Sequence, residues 1–194
     1  MNLIKATFNI VGESPLSFSK KVFEEKDANE SHDDYDKRTW RFKIHHDEKT
    51  GEAFIPNMAL KFCLDDTAQF LKIKVPGQNR STFGQVFKCG VLVLKPIMLG
   101  VKWDDKKRIV ANPQLCGTTG KRGPGPRVTR TFPQLAEWQG TAEVLIQAPE
   151  LTKEVFQKHI ESAGYLKGLG QFAPRVGGYC GRFRVENLTW ERIE

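Results

Sequence analysis

Between Tyr165 and Val185 the chain places five glycines (Gly168, Gly170, Gly177, Gly178, Gly181) among four cations and three rings. The cations are Lys167, Arg175, Arg182 and Arg184; the rings are Phe172, Tyr179 and Phe183. Glycine lets the backbone take positive φ and approach a ligand closely. Exposed amides in such a loop can form an anion nest. Arginine and lysine neutralise phosphates, and aromatic faces stack on bases. The combination predicts a loop that holds a nucleic-acid backbone, with Phe172 and Tyr179 as stacking rings. Phe183 and Val185 share a strand parity, which assigns them to the core.

A second basic segment lies in mid-chain. Lys102, Lys106, Lys107, Arg108, Lys121, Arg122, Arg127 and Arg130 face only Asp104 and Asp105 across residues 102–130. Its Gly/Pro content predicts a flexible arm that grips phosphates. Lys72, Lys74 and Arg80 flank Pro76-Gly77 as a smaller finger, with Phe83 available to stack.

His45 and His46 are the candidates for catalysis. An imidazole titrating near pH 6.5 suits general acid–base attack of a 2′-hydroxyl on its phosphate, with Tyr35, Lys37 or Lys43 assisting. Neighbours on a strand point to opposite faces, so only one of the pair can reach a given ligand. His159 sits at helical spacing among apolar residues and reads as a packed helix residue. No Gly-rich phosphate loop ending in Lys-Ser/Thr is present, and Gly168-x-Gly170 lacks the strand-before, helix-after setting of a dinucleotide site. The adjacent pairs Asp65-Asp66 and Asp104-Asp105 do not supply the converging acids of a two-metal nuclease. Cys63, Cys89, Cys116 and Cys180 lack zinc-site spacing. No cofactor or metal is therefore expected.

The whole chain frames these sites. Its 194 residues carry a formal charge of +7 and a pI near 9.3, which favours a polyanionic partner. The N-terminus begins a strand-like alternation rather than a secretory leader. No apolar run approaches the roughly 18 residues of a membrane helix. A cytoplasmic protein with reduced thiols and no membrane contact is expected.

Hydrophobic periodicity supplies the elements. Ile4, Ala6, Phe8 and Ile10 alternate with Lys5, Thr7 and Asn9 as a half-buried strand. Residues 19–38 are polar and predict a long mobile excursion. The run 40–44 alternates as a short strand, and 47–52 as a turn. Pro56 opens a helix whose Leu60, Cys63, Leu64, Ala68 and Leu71 form an apolar stripe. Residues 87–94 read as an apolar strand, and 142–146 as a further core strand. Thr152 caps a second helix ending at Gly164, and 182–190 form the last strand. Without the excursions the order is strand, helix, strand, strand, helix, strand. The predicted class is α+β, a ferredoxin-like (RRM-like) βαββαβ core with an antiparallel sheet and two helices. Residues 1–194 are expected to form one domain with insertions at about 13–39 and 102–130.

The chain resembles the RAMP superfamily, the repeat-associated proteins of CRISPR systems. Three places carry the resemblance: the first strand running into Gly12-Glu13-Ser14-Pro15, the entry Gly51 to Leu60 into the first helix, and the loop from Gly168 to Phe183. The superfamily includes subunits that coat guide RNA and endoribonucleases that process it. This chain is short for a coating subunit and is similar in size to small stand-alone proteins of phage and prophage genomes. The resemblance implies a nucleic-acid-binding protein that assembles along a strand.

The expected function is non-enzymatic binding of single-stranded RNA or DNA through the basic insertion and the glycine-rich loop, with homo-oligomerisation along the strand. Two alternatives stand beside it. One is a metal-independent endoribonuclease using His45 or His46. The other is a protein-interaction module, such as a CRISPR inhibitor or a replication adaptor.

Overall fold

Strand β1 (Leu3–Gly12) buries Ala6, Phe8 and Ile10 on one side, as its alternation requires. The computed structural model describes residues 3–78, 80–117 and 126–193. In chain order there follow β2 (Leu16–Ser17), α1 (His32–Thr39), β3 (Glu52–Ile55), α2 (Asn57–Leu71), α3 (Phe83–Gly90) and β4 (Val91–Val93). Then come β5 (Ile97–Lys102), β6 (Ile109–Gly117), β7 (Arg127–Leu135), β8 (Gln139–Ile146), α4 (Lys153–Ser162) and β9 (Phe183–Ile193). The protein is α+β, with antiparallel sheets and four α-helices among the described residues.

The main sheet has the order β4-β8-β1-β9, and every neighbouring pair is antiparallel. This arrangement is consistent with a ferredoxin-like fold. Helices α2 and α4 cover one face. Phe156 of α4 lies 5.9 Å from Phe8 and stacks on Phe87 of α3 at 6.2 Å. The buried side chains of sheet and helices join in one cluster. The other sheet face carries Lys5, Thr7 and Asn9, with Glu143, Glu186 and Glu191 on the flanking strands. Trp190 pairs with Ala6 and turns to the helix side, against Phe156. The open face therefore lacks the aromatic platform on which RNA-recognition domains stack bases.

Several local expectations need correction. Residues Trp40–Lys43 form a 3₁₀ turn, not a strand. Arg41 directs it inward by donating to the Trp103 and Ile109 carbonyls. Of the run 87–94, the first part belongs to α3 and only Val91–Val93 is strand. Apolar residues every third or fourth position satisfy a helix as well as a short buried strand. The 19–38 excursion carries all but the last residue of α1, which is capped by Ser31 and braced by the Arg38–Glu30 ion pair and a Tyr35 hydrogen bond to the Glu24 carbonyl. Helix α4 does not end at Gly164; it continues as a π-turn, Ala163–Lys167. Gly164 is there because a Cβ would meet the Phe183 carbonyl.

The mid-chain arm is a β-hairpin. β6 and β7 pair from Ile109↔Leu135 to Gly117↔Arg127, and β2 joins the sheet through Leu16↔Leu135. Pro113 is tolerated because β6 is the edge strand. Asp36 of α1 anchors β7, accepting from the Thr131 amide and pairing with Lys43 at 2.6 Å. No helix among the described residues is long and apolar enough to cross a membrane.

Candidate nucleic-acid interface

The glycine-rich loop is a tight knot built on its own backbone. Gly181 has φ +70°, and a Cβ there would lie 1.8 Å from the Leu169 carbonyl oxygen. Gly170 has φ +77° and presses on the Ser17 carbonyl of β2. Both positions combine a left-handed backbone with contact closer than any side chain permits. The loop amides are committed inward. Leu169 donates to Gly181, Gln171 to Ser17, Gly178 to Ala173, Cys180 to Phe172 and Gly181 to Pro15. The expectation of an open anion nest is thereby corrected: these amides close the loop onto β2 and onto itself.

The side chains divide into three groups. Arg175 braces the loop, donating to the carbonyls of Gly168 at 2.9 Å and Gly170 at 3.3 Å. Phe172 does not stand free to stack; it packs edge-on against Phe132 of β7 at 5.0 Å. Phe183 is buried, as its parity predicts. At the rim, Lys167 places its ammonium 4.6 Å from the ring of Phe70, and Arg182 its guanidinium 5.4 Å from the ring of Tyr165. Phe70 and Tyr165 are 60% and 63% exposed, and Tyr179 is 59% exposed. Gly177 closes the short turn Pro174–Val176, and Gly168 closes the π-turn. Among the described candidate cations only Arg184 is ion-paired, to Glu186 at 2.8 Å.

The hairpin divides its cations between two ends. Lys106, Lys107 and Arg108 occupy the β5–β6 turn, where the Asp105 carboxylate accepts from the Lys107 and Arg108 amides. Those backbone donors, with the nearby cations, hold Asp105 below the usual carboxylate range. Arg108 donates to the Glu137 carbonyl, and Lys102 to the Thr50 carbonyl. Arg127 and Arg130 lie on β7, and Gly117 is the partner of Arg127. Eight strand steps separate the two ends, about 27 Å. Lys121 and Arg122 lie outside the described residues. Loop and hairpin meet at Phe132, which receives Phe172 and shares a strand side with Arg130.

The histidines separate as expected of strand neighbours. His46 stacks on Trp103 at 4.7 Å. His45 is half-buried beside Phe54, and burial first, then Lys20 and His46, pushes its pKa down. The proposed assistants are engaged elsewhere: Tyr35 with Glu24, Lys37 with Asp34, Lys43 with Asp36. Among the described residues, none of these three assistants pairs with either imidazole. Phe83 is buried at the start of α3, so it is not available to stack for the smaller finger of Lys72, Lys74 and Arg80. Among the described residues no cluster of His, Cys, Asp and Glu could hold a metal ion. All four cysteines are free, and burial pushes the Cys63 thiol up to about 12.

Sequence reasoning missed the outer face of α2. Met58, Phe62 and Phe70 are all substantially exposed there. Their spacing of four and eight residues was available as a second apolar stripe, beside the buried one through Leu60, Cys63 and Leu64.

No protein-family model matches the chain, and no curated protein does either. Solved structures do match its fold. One is a chain of the Type III-B Cmr-beta complex bound to cognate target RNA, with TM-score 0.55 and 12% identity. That match covers 98% of this chain and 61% of the other, so this chain spans less than two thirds of it. Another is Cmr6 from Pyrococcus furiosus, with TM-score 0.50 and 12% identity, covering 95% of this chain and 98% of that one. These likenesses show that the chain shares the fold of those two structures.

Proposed function

We propose that the protein binds single-stranded nucleic acid, RNA before DNA, without cutting it. The observation that carries this reading is the rim of the glycine-rich loop. There Lys167 and Arg182, neither ion-paired among the described residues, lie against the exposed rings of Phe70 and Tyr165. Cations take phosphates while adjacent rings stack on bases, each stack being worth roughly 1–3 kcal/mol. Arg130, Arg127 and the β5–β6 turn extend the cationic track along the hairpin. In this reading β1, α2, β4, β8, α4 and β9 are the βαββαβ core of one RAMP-like domain, 1–194. The hairpin is its arm, and further copies assemble along the strand. The likeness to a chain of an RNA-bound complex supports RNA as the partner.

Fluorescence anisotropy with single-stranded RNA, single-stranded DNA and duplex at two salt concentrations tests the reading. Binding to single strands should weaken with salt by about 0.7 in log–log slope per phosphate contact. Absent or salt-insensitive binding to all three would remove it. Intact RNA after incubation in EDTA separates it from the endonuclease alternative.

A further inference from the structure

Beneath the glycine-rich loop lies a pocket of about 190 Å³, framed by β2, by His45 and by the start of α2. Its lining contains no Asp or Glu. Helix α2 begins there at Asn57, after Pro56 in the N-cap position, without a side-chain cap and with no acidic residue in its first turn. The positive end of its dipole is therefore uncompensated by any side chain of its own first turn. Arg175 lines the same pocket, and no carboxylate among the described residues pairs with it. Ser17, wholly buried and also in the lining, has a hydroxyl without any hydrogen-bond partner. A buried hydroxyl left unpaired costs about 1–3 kcal/mol, so its retention points to an absent partner.

We propose that this pocket is a phosphate-binding site, taking the phosphate group of a nucleotide. Ser17 donates a hydrogen bond, Arg175 supplies a guanidinium, and the start of α2 supplies a field that favours an anion. The site is larger than a bare phosphate requires, leaving room for the attached sugar. His45 also lines the pocket and adds an imidazole donor or acceptor. Whether the phosphate belongs to a free nucleotide or to a strand rests on the strand-binding reading above; the pocket itself does not.

Calorimetric titration of the full chain with inorganic phosphate and with adenosine 5′-monophosphate tests the site directly. Anisotropy with a single-stranded RNA bearing a 5′-phosphate or a 5′-hydroxyl identifies the source. Two variants report on the pocket. Ser17→Ala removes a hydroxyl that has no partner, and Ala59→Asp places an acid in the first turn of α2, where it favours the helix. Both should fold with unchanged circular dichroism, and Ser17→Ala should melt no lower than the unsubstituted chain, since the hydroxyl it removes has no partner. Each should weaken mononucleotide binding tenfold or more. A 5′-phosphorylated strand that outbinds its hydroxyl counterpart assigns the pocket to a strand end. Equal binding of the two strands, weakened alike by both variants, assigns it to an internal phosphate. If neither variant changes binding of any of the four ligands, the phosphate site is refuted, even where strand binding persists. Mononucleotide binding sensitive to both variants, with no strand bound, upholds the pocket and removes the strand-binding reading.

Discussion

The glycine-rich loop and the mid-chain hairpin share a composition and differ in every structural respect. Both mix Gly, Pro, Lys and Arg. In the loop the glycines permit backbone to press on backbone, the amides bond inward, and the cations are left at the rim. In the hairpin the backbone bonds go into a regular ladder, and the cations are spread along it, with Arg127 about 27 Å and Arg130, opposite Gln114, about 17 Å from the β5–β6 turn. Composition therefore reports that a segment is basic and can turn. It does not report where the backbone's own hydrogen bonds go, and that decides which groups remain for a ligand.

The comparison breaks most readily at Gly181. If the loop is a packed knot, Gly181→Ala forces a Cβ into the Leu169 carbonyl at φ +70°. A loss of about 2–4 kcal/mol is expected, read from the denaturant midpoint. A near-neutral result would mean that the loop is not closed on itself.

Charge removal tests the hairpin's two ends separately. The double change Arg127→Ala, Arg130→Ala should lower the salt slope by about 1.4 for short and long RNA strands alike. Removing Lys106, Lys107 and Arg108 should matter only for strands long enough to span the hairpin. Equal effects on a short strand would contradict the separation of the ends.

Protonation probes the core that supports both regions. Burial lowers the pKa of His159, opposed in part by its hydrogen bond to the Val155 carbonyl and aided by Lys158. The unfolded chain thus takes up this proton first as pH falls through about 6.5. Stability conferred by the neutral ring is present above that pH and declines towards the depressed folded value. His45 contributes in the same sense. Urea midpoints between pH 7.5 and 5 should fall, and His159→Leu should flatten the fall.

The smallest effect is expected at Arg184, exposed and paired with Glu186. Arg184→Ala should change stability by less than about 0.5 kcal/mol. It should also leave the salt slope nearly unchanged, unlike Arg182→Ala, which removes an unpaired cation from the ring of Tyr165. If the two substitutions weaken binding equally, ion pairing is not what separates the cations.

Much of this was legible from residue order. The alternation in β1, the stripe of α2 and the Thr152 cap of α4 each determine a local element, because the signal and the structure lie in the same few residues. The hairpin was hidden by Pro113 and by its polar alternation, which fit a loop as well as an edge strand. The role of Phe172 was hidden because Phe132, the ring that holds it, lies 40 positions away.

Sequence by itself determined the basic character, the two glycine-and-cation segments, most of the core elements and the burial of Phe183. Those follow from composition and short-range periodicity. Tertiary structure alone decided that the loop amides close inward and that Arg175 braces while Lys167 and Arg182 lie against exposed rings. It alone set Ser17, His45 and the start of α2 around one pocket. Such outcomes depend on which distant backbone groups meet, and hydrogen bonds and burial are assigned only once the chain has folded back on itself.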